Sequence, residues 1–105
     1  MTALEAKRTA DNFNQELFKR TLEKTTKYFN KEIEEAACQG SYDFCIKSDS
    51  DYLIMALGQR ETIELFHNSD LQKEIKKQFR VDGFLVNFEK GYERDYVRVS
   101  WKEPY

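Results

Sequence analysis

The sequence predicts a single α+β domain in which a long N-terminal helix and a shorter helix pack on a small three-stranded, mainly antiparallel sheet, in the order α-β-α-β-β. Three observations carry this reading. Phe84, Val86 and Phe88 alternate with Leu85, Asn87 and Glu89, and Val97, Val99 and Trp101 can meet them across a Lys90–Asp95 turn, so the C-terminal residues read as a β-hairpin with one apolar wall. Upstream, Phe18, Leu22, Phe29, Ile33 and Ala36 fall within roughly 60° on a helical wheel, a stripe suited to cover that wall. Leu71, Ile75 and Phe79 recur at i, i+4 and i+8 and supply a second covering helix.

The long helix is expected from about Phe13 to Cys38, closing at Gln39-Gly40, because glycine accepts the left-handed conformation that ends helices. Two N-terminal starts compete. Thr2 with Glu5, and Asn12 with Gln15, each have capping-box spacing, so residues 1–11 read as a separate arm. Ala3, Ala6, Ala10, Phe13 and Leu17 form a second stripe, rotated by on the order of 100° from the first. One straight helix cannot bury both stripes on one sheet. Either the chain bends near Asp11-Asn12, or these five residues meet another copy of the chain; a homo-oligomer contact is the preferred expectation.

After Gly40, Tyr42, Phe44 and Ile46 alternate with Asp43, Cys45 and Lys47, which predicts a half-buried strand joining the hairpin. Tyr52–Leu57 is compatible with a buried helix or a strand, and Glu61–His67 with a short helical turn. Ser69, with Gln72 in the box position, is expected to cap the helix carrying Leu71, Ile75 and Phe79, and Gly83 to end it. The single proline, Pro104, stands at the chain end.

At 105 residues the chain suffices for one core and not two. Charged residues make up 34% and the formal net charge is −2, so no global field draws it to nucleic acid or an anionic membrane; any anion site must be a local patch. Nowhere do eighteen apolar residues run together, and the N-terminus has no signal-peptide pattern, so a cytoplasmic location is expected. Cys38 and Cys45, seven apart with one distant histidine, match no zinc spacing and read as two buried thiols.

Catalytic machinery is not evident in the residue pattern, and the expectation is a protein that is not an enzyme, with no cofactor and no metal. His67, the only histidine, sits where a favourable helix-dipole contact explains it. Asp49-Ser-Asp51 lacks the glycine and terminal glutamate of a calcium loop. The four glycines are isolated, which excludes a glycine-rich phosphate loop.

Two basic rows remain. Arg20, Lys24, Lys27 and Lys31 share one face of the long helix, with Glu16 and Glu23 placed to pair with Arg20 and Lys27. Lys73, Lys76, Lys77 and Arg80 share the outer face of the later helix with only Glu74 nearby, and are the stronger candidates for an anionic ligand or acidic partner. Tyr92, Tyr96 and Arg98 on the hairpin could stack on a base and bind phosphate; a cross-strand Arg98–Glu89 pair is the simpler alternative.

Glu5-Ala-Lys-Arg8, Ile33-Glu-Glu-Ala-Ala37 leading to Gly40, Gly83-Phe-Leu-Val86, and Tyr96-Val-Arg-Val-Ser-Trp101 together resemble small accessory proteins of tailed bacteriophages. The resemblance implies an accessory role exercised by binding: sequestration of a small anionic nucleotide signal, such as a cyclic dinucleotide or an ADP-ribose-like molecule, by a homo-oligomer in the host cytoplasm. The alternative it leaves is a protein-protein inhibitor of a host factor or a small virion component. It transfers no functional residues.

Overall fold

The computed structural model describes residues 1–103, so the proline noted at the chain end lies outside the described residues. Within them the fold is α+β as expected, but with four helices, in the order α-β-α-α-α-β-β.

Helix α1 runs unbroken over Ala3–Cys38. Thr2 caps it by accepting the Glu5 N–H at 3.2 Å, and the Asn12 start is not used. Once the helix has begun at Thr2, the amides that Asn12 would cap are already bonded within the helix, and the Lys7–Asp11 pair at 2.8 Å spans the expected bend. There is no kink near Asp11-Asn12, and residues 1–11 are the first turns of α1. The helix stops where predicted. Ser41 N–H reaches the Ala36 carbonyl and Gly40 N–H the Ala37 carbonyl, the paired bonds of a Schellman close.

The buried line of α1 is Leu17, Thr21, Thr25 and Phe29, an i+4 row that drifts by about 40° per step. Phe18, Leu22 and Ile33 flank it, partly buried against the core, while Phe29 is fully enclosed. The drift follows from 3.6 residues per turn, and different elements cover successive turns of the helix. Helices α2 (Asp51–Leu57) and α3 (Gln59–His67) contact it, as do strand β1 (Asp43–Lys47) and helix α4 (Ser69–Val81). This resolves the conflict between the two stripes and corrects one assignment: Leu17, expected at an oligomer contact, is buried within the chain at 6% exposure.

Tyr52–Leu57 is helical, capped by Ser50, with Leu53 and Leu57 fully buried. Gly58 closes α2 and opens α3 at φ +103°, a backbone conformation that side chains rarely adopt. Helix α4 is capped by Asn68, which accepts the Leu71 N–H at 3.1 Å, and not by Ser69. Gln72 is likewise drawn away from the predicted box and donates to the Leu65 carbonyl at 3.0 Å, tying α4 to α3. Leu71, Ile75 and Phe79 form the buried face of α4 as the spacing predicts. Its end is a second Schellman close, with Phe84 N–H on the Phe79 carbonyl, Gly83 at φ +92°, and the two phenylalanine rings in edge contact at 6.1 Å.

Strands β2 (Leu85–Lys90) and β3 (Asp95–Ser100) form the predicted hairpin, and β1 pairs with the far side of β3, giving an antiparallel sheet of order β1-β3-β2. Phe44, Val99 and Val86 align across the sheet, as do Ile46, Val97 and Phe88, and these six side chains belong to the apolar core or pack against it. Trp101 lies just past β3, donates its backbone N–H to the Tyr42 carbonyl, and contacts the rings of Phe44 and Phe84. Period-two alternation puts Cys45 on the opposite face from Phe44 and Ile46. Cys45 is therefore exposed, and so is Cys38 in the last turn of α1; both are free thiols, correcting the expectation that they are buried.

Candidate functional site

A groove of about 1330 Å³ lies between α1, β1 and α2. Helix α1 supplies Lys24, Lys27, Tyr28, Lys31, Glu32 and Glu35 at spacings of three and four, the pattern that places side chains along one flank. Strand β1 and the loop after it add Lys47 and Asp49, and α2 adds Tyr52 and Met55, which are 79% and 83% exposed.

Pairing of these charges decides the character of the groove. Burial pushes the Tyr28 hydroxyl up to about 12, helped by the charge of Glu32 and a hydrogen bond to it and by the charge of Glu35. Glu35 also faces Lys31 at 3.9 Å, and Asp49 is held by Arg94 at 3.0 Å. Lys24 donates to the Leu57 carbonyl at the end of α2. Glu35 and Asp49 are thus ion-paired and Glu32 accepts only from the neutral Tyr28 hydroxyl, whereas Lys27 and Lys47 enter no ion pair among the described residues, and the lining carries four lysines against three acids. The residual electrostatics of the groove are cationic, next to an exposed tyrosine ring.

The first basic row therefore has a divided role. Arg20 bonds Glu61 across to α3 at 2.8 Å, and Lys24 caps α2, so these two hold the fold together. The local Glu16–Arg20 and Glu23–Lys27 pairs expected from spacing are not formed; Arg20 takes the better-buried partner. Burial pushes the Glu61 carboxyl up, but its own backbone amide together with Arg20 and Lys24 outweighs this and holds it below the ordinary carboxylate value.

The second row lines a separate shallow depression of about 510 Å³ formed by Lys73, Lys76, Lys77, Arg80 and Val81 on the solvent side of α4. Tyr96 and Arg98 lie on the other side of the sheet, because Val97 and Val99 take the core face. The predicted cations and aromatics are not brought together: the sheet separates them. Arg98 pairs with Asp43 at 3.3 Å instead of Glu89. Glu89 accepts a hydrogen bond from Tyr96, its cross-strand partner, and this bond first, then the Glu89 charge, raises the Tyr96 pKa. Tyr92 is fully exposed in the hairpin turn.

Ala3, Ala6 and Ala10 are exposed on the free end of α1. Phe13 is 46% exposed and carries the Arg60 guanidinium over its ring at 5.1 Å. His67 shares a small depression with Ser69, Glu89 and Asp95, and no hydrogen bond joins it to any of them. Among the described residues no group of three or more His, Cys, Asp or Glu is arranged to hold a metal, and no helix is long and apolar enough to cross a membrane.

Sequence reasoning missed Tyr28, Lys47, Tyr52 and Met55 as a group. A usable signal existed in the i+3 and i+4 spacing of Lys24, Tyr28, Lys31 and Glu35, but the other wall became visible only once residues 51–57 were placed as a helix. Comparison with protein-family models, with curated proteins and with solved structures finds no match for this chain.

Proposed function

We propose that this chain is a non-enzymatic binding protein that holds a small anionic, nucleotide-like ligand in the groove between α1, β1 and α2. The observation that carries the reading is the charge balance there: four lysines line the groove against three acids, Glu35 and Asp49 are held in ion pairs, and Lys27 and Lys47 enter none among the described residues, near the exposed Tyr52 ring. Lysines bind phosphate as point charges, and a tyrosine face stacks on a base without demanding a particular sequence of donors. No step of bond cleavage is required of any residue. In the phage-type accessory setting that the sequence resemblance implies, such capture would remove a cyclic dinucleotide or ADP-ribose-like signal from solution. Self-association through the exposed alanines of α1 is a separate part of the proposal, because Ala10 lies about 21 Å along the helix from Lys24, where the groove begins.

The test is a thermal-shift and calorimetric screen of the purified chain against ADP-ribose and a set of cyclic dinucleotides. Ligand at about a hundred times its Kd adds about 2.7 kcal/mol, which for a chain of this size raises Tm by on the order of 10 °C. Lys27→Glu combined with Lys47→Glu should abolish the shift, and the ligand recovered after heating should be chemically unchanged. No shift with any compound, or a shift that survives the double substitution, overturns the placement; conversion of the ligand overturns the non-enzymatic reading.

A further inference from the structure

We propose that the outer face of α4 is a docking surface for a short acidic segment of a partner protein, separate from the groove. Lys73, Lys76, Lys77, Arg80 and Val81 line the depression on that face. Lys73, Lys76 and Lys77 enter no ion pair or hydrogen bond among the described residues, in contrast to Arg20 and Lys24 on α1, which are occupied in holding α2 and α3. Lys73, Lys76 and Lys77 lie on adjacent turns and repel one another, so these three lysines cost the helix some stability. The platform beneath them is fixed. Leu71 and Ile75 are fully buried and Phe79 is 3% exposed, so the basic side chains project from a helix that cannot roll.

The shape of the patch selects among anions. From Lys73 to Arg80 the helix rises by about 10 Å, and the row is flanked in sequence by Asp70 and Asp82. Asp70 lies about 60° from Lys73 on the helical wheel, so a long polyanion continuing past the N-terminal end of the row meets a like charge, whereas two turns of an acidic helix match the cationic stretch. Val81 is 81% exposed at one end of the row and offers an apolar contact that a phosphate backbone cannot use but a leucine-bearing peptide can. Charge complementarity plus this apolar contact points to an acidic, amphipathic protein segment.

The experiment uses the full chain and a fluorescein-labelled helical peptide of glutamates and leucines, followed by fluorescence anisotropy, with a duplex DNA of equal charge measured in parallel. Binding of the peptide is expected to saturate, to weaken as salt rises, and to fall by about tenfold or more in the Lys73→Glu, Lys76→Glu, Lys77→Glu triple variant. If the triple variant loses its thermal transition, the three single reversals are measured instead, and each should weaken binding. Lys27→Glu with Lys47→Glu in the groove should leave peptide binding unchanged, so this proposal and the ligand-capture reading fail separately. Absence of peptide binding, binding insensitive to the α4 reversals, or equal or tighter binding of DNA overturns it.

Discussion

Thr25 is fully buried at the centre of α1, and its hydroxyl finds no hydrogen-bond partner among the described residues. Thr21, one turn earlier, is equally buried but donates to the Leu17 carbonyl at 2.7 Å. A buried hydroxyl without a partner carries a desolvation cost, and valine has the same branched shape without the polar atom. Thr25→Val is therefore expected to stabilise the chain by about 1 kcal/mol, raising Tm by roughly 4–8 °C in a calorimetric scan. Thr21→Val should show no comparable gain, since it removes a bond that is made. Glu61 is the complementary case of a buried polar group whose partners repay its burial. Its carboxyl titrates lower in the folded chain than in the unfolded one, so its contribution is complete above the ordinary carboxylate range and disappears as pH falls through the lowered value. Glu61→Gln should lower stability at neutral pH and flatten the loss below about pH 4.5, read from denaturant midpoints across pH. An acid limb unchanged by the substitution would remove Glu61 from the account.

At the scale of elements, helix ends explain more of the fold than helix interiors do. Residues 51–67 become two helices because Gly58 ends one and starts the next in a single residue, its N–H on the Ile54 carbonyl and its carbonyl accepting the Thr62 N–H. A methyl group at this position would lie against the Glu61 carboxylate and would sit at φ +103°. Gly58→Ala is expected to cost about 1–3 kcal/mol through backbone strain and displacement of Glu61 from Arg20, detectable as a lower urea midpoint with unchanged slope. Periodicity could not decide Tyr52–Leu57, because a short apolar run satisfies helix and strand templates equally. The Ser69 cap failed for a related reason: Asn68, one residue earlier, is also a good cap, and only the docking of Gln72 on α3 chose between them.

For the whole molecule, shape is set by α1. Its 36 residues extend about 54 Å, close to the longest extent of the chain, 56 Å. The radius of gyration is 15.4 Å, where a compact chain of this length would give about 13 Å. The difference is the free end of α1, whose residues 3–16 are all exposed. The small, apolar Ala3, Ala6 and Ala10 with Leu4 and Phe13 form the surface on which a second copy is proposed to pack. Ala6→Glu with Ala10→Glu should therefore give a smaller particle by light scattering, with the thermal transition of the core retained. An unchanged mass would remove self-association through this end.

The sequence by itself determined the fold class, the hairpin and its core face, the inner face of α4 and the glycine stops of α1 and α4. Each is a local decision, made by side-chain alternation or by a backbone conformation that one residue type tolerates. It could not determine which elements cover α1 turn by turn, that Arg20 and Lys24 serve α2 and α3 while Lys27 and Lys47 remain unpaired, or that the sheet separates the basic helix face from Tyr96 and Arg98. Those follow from contacts between residues tens of positions apart, and such contacts exist only once the layers have packed.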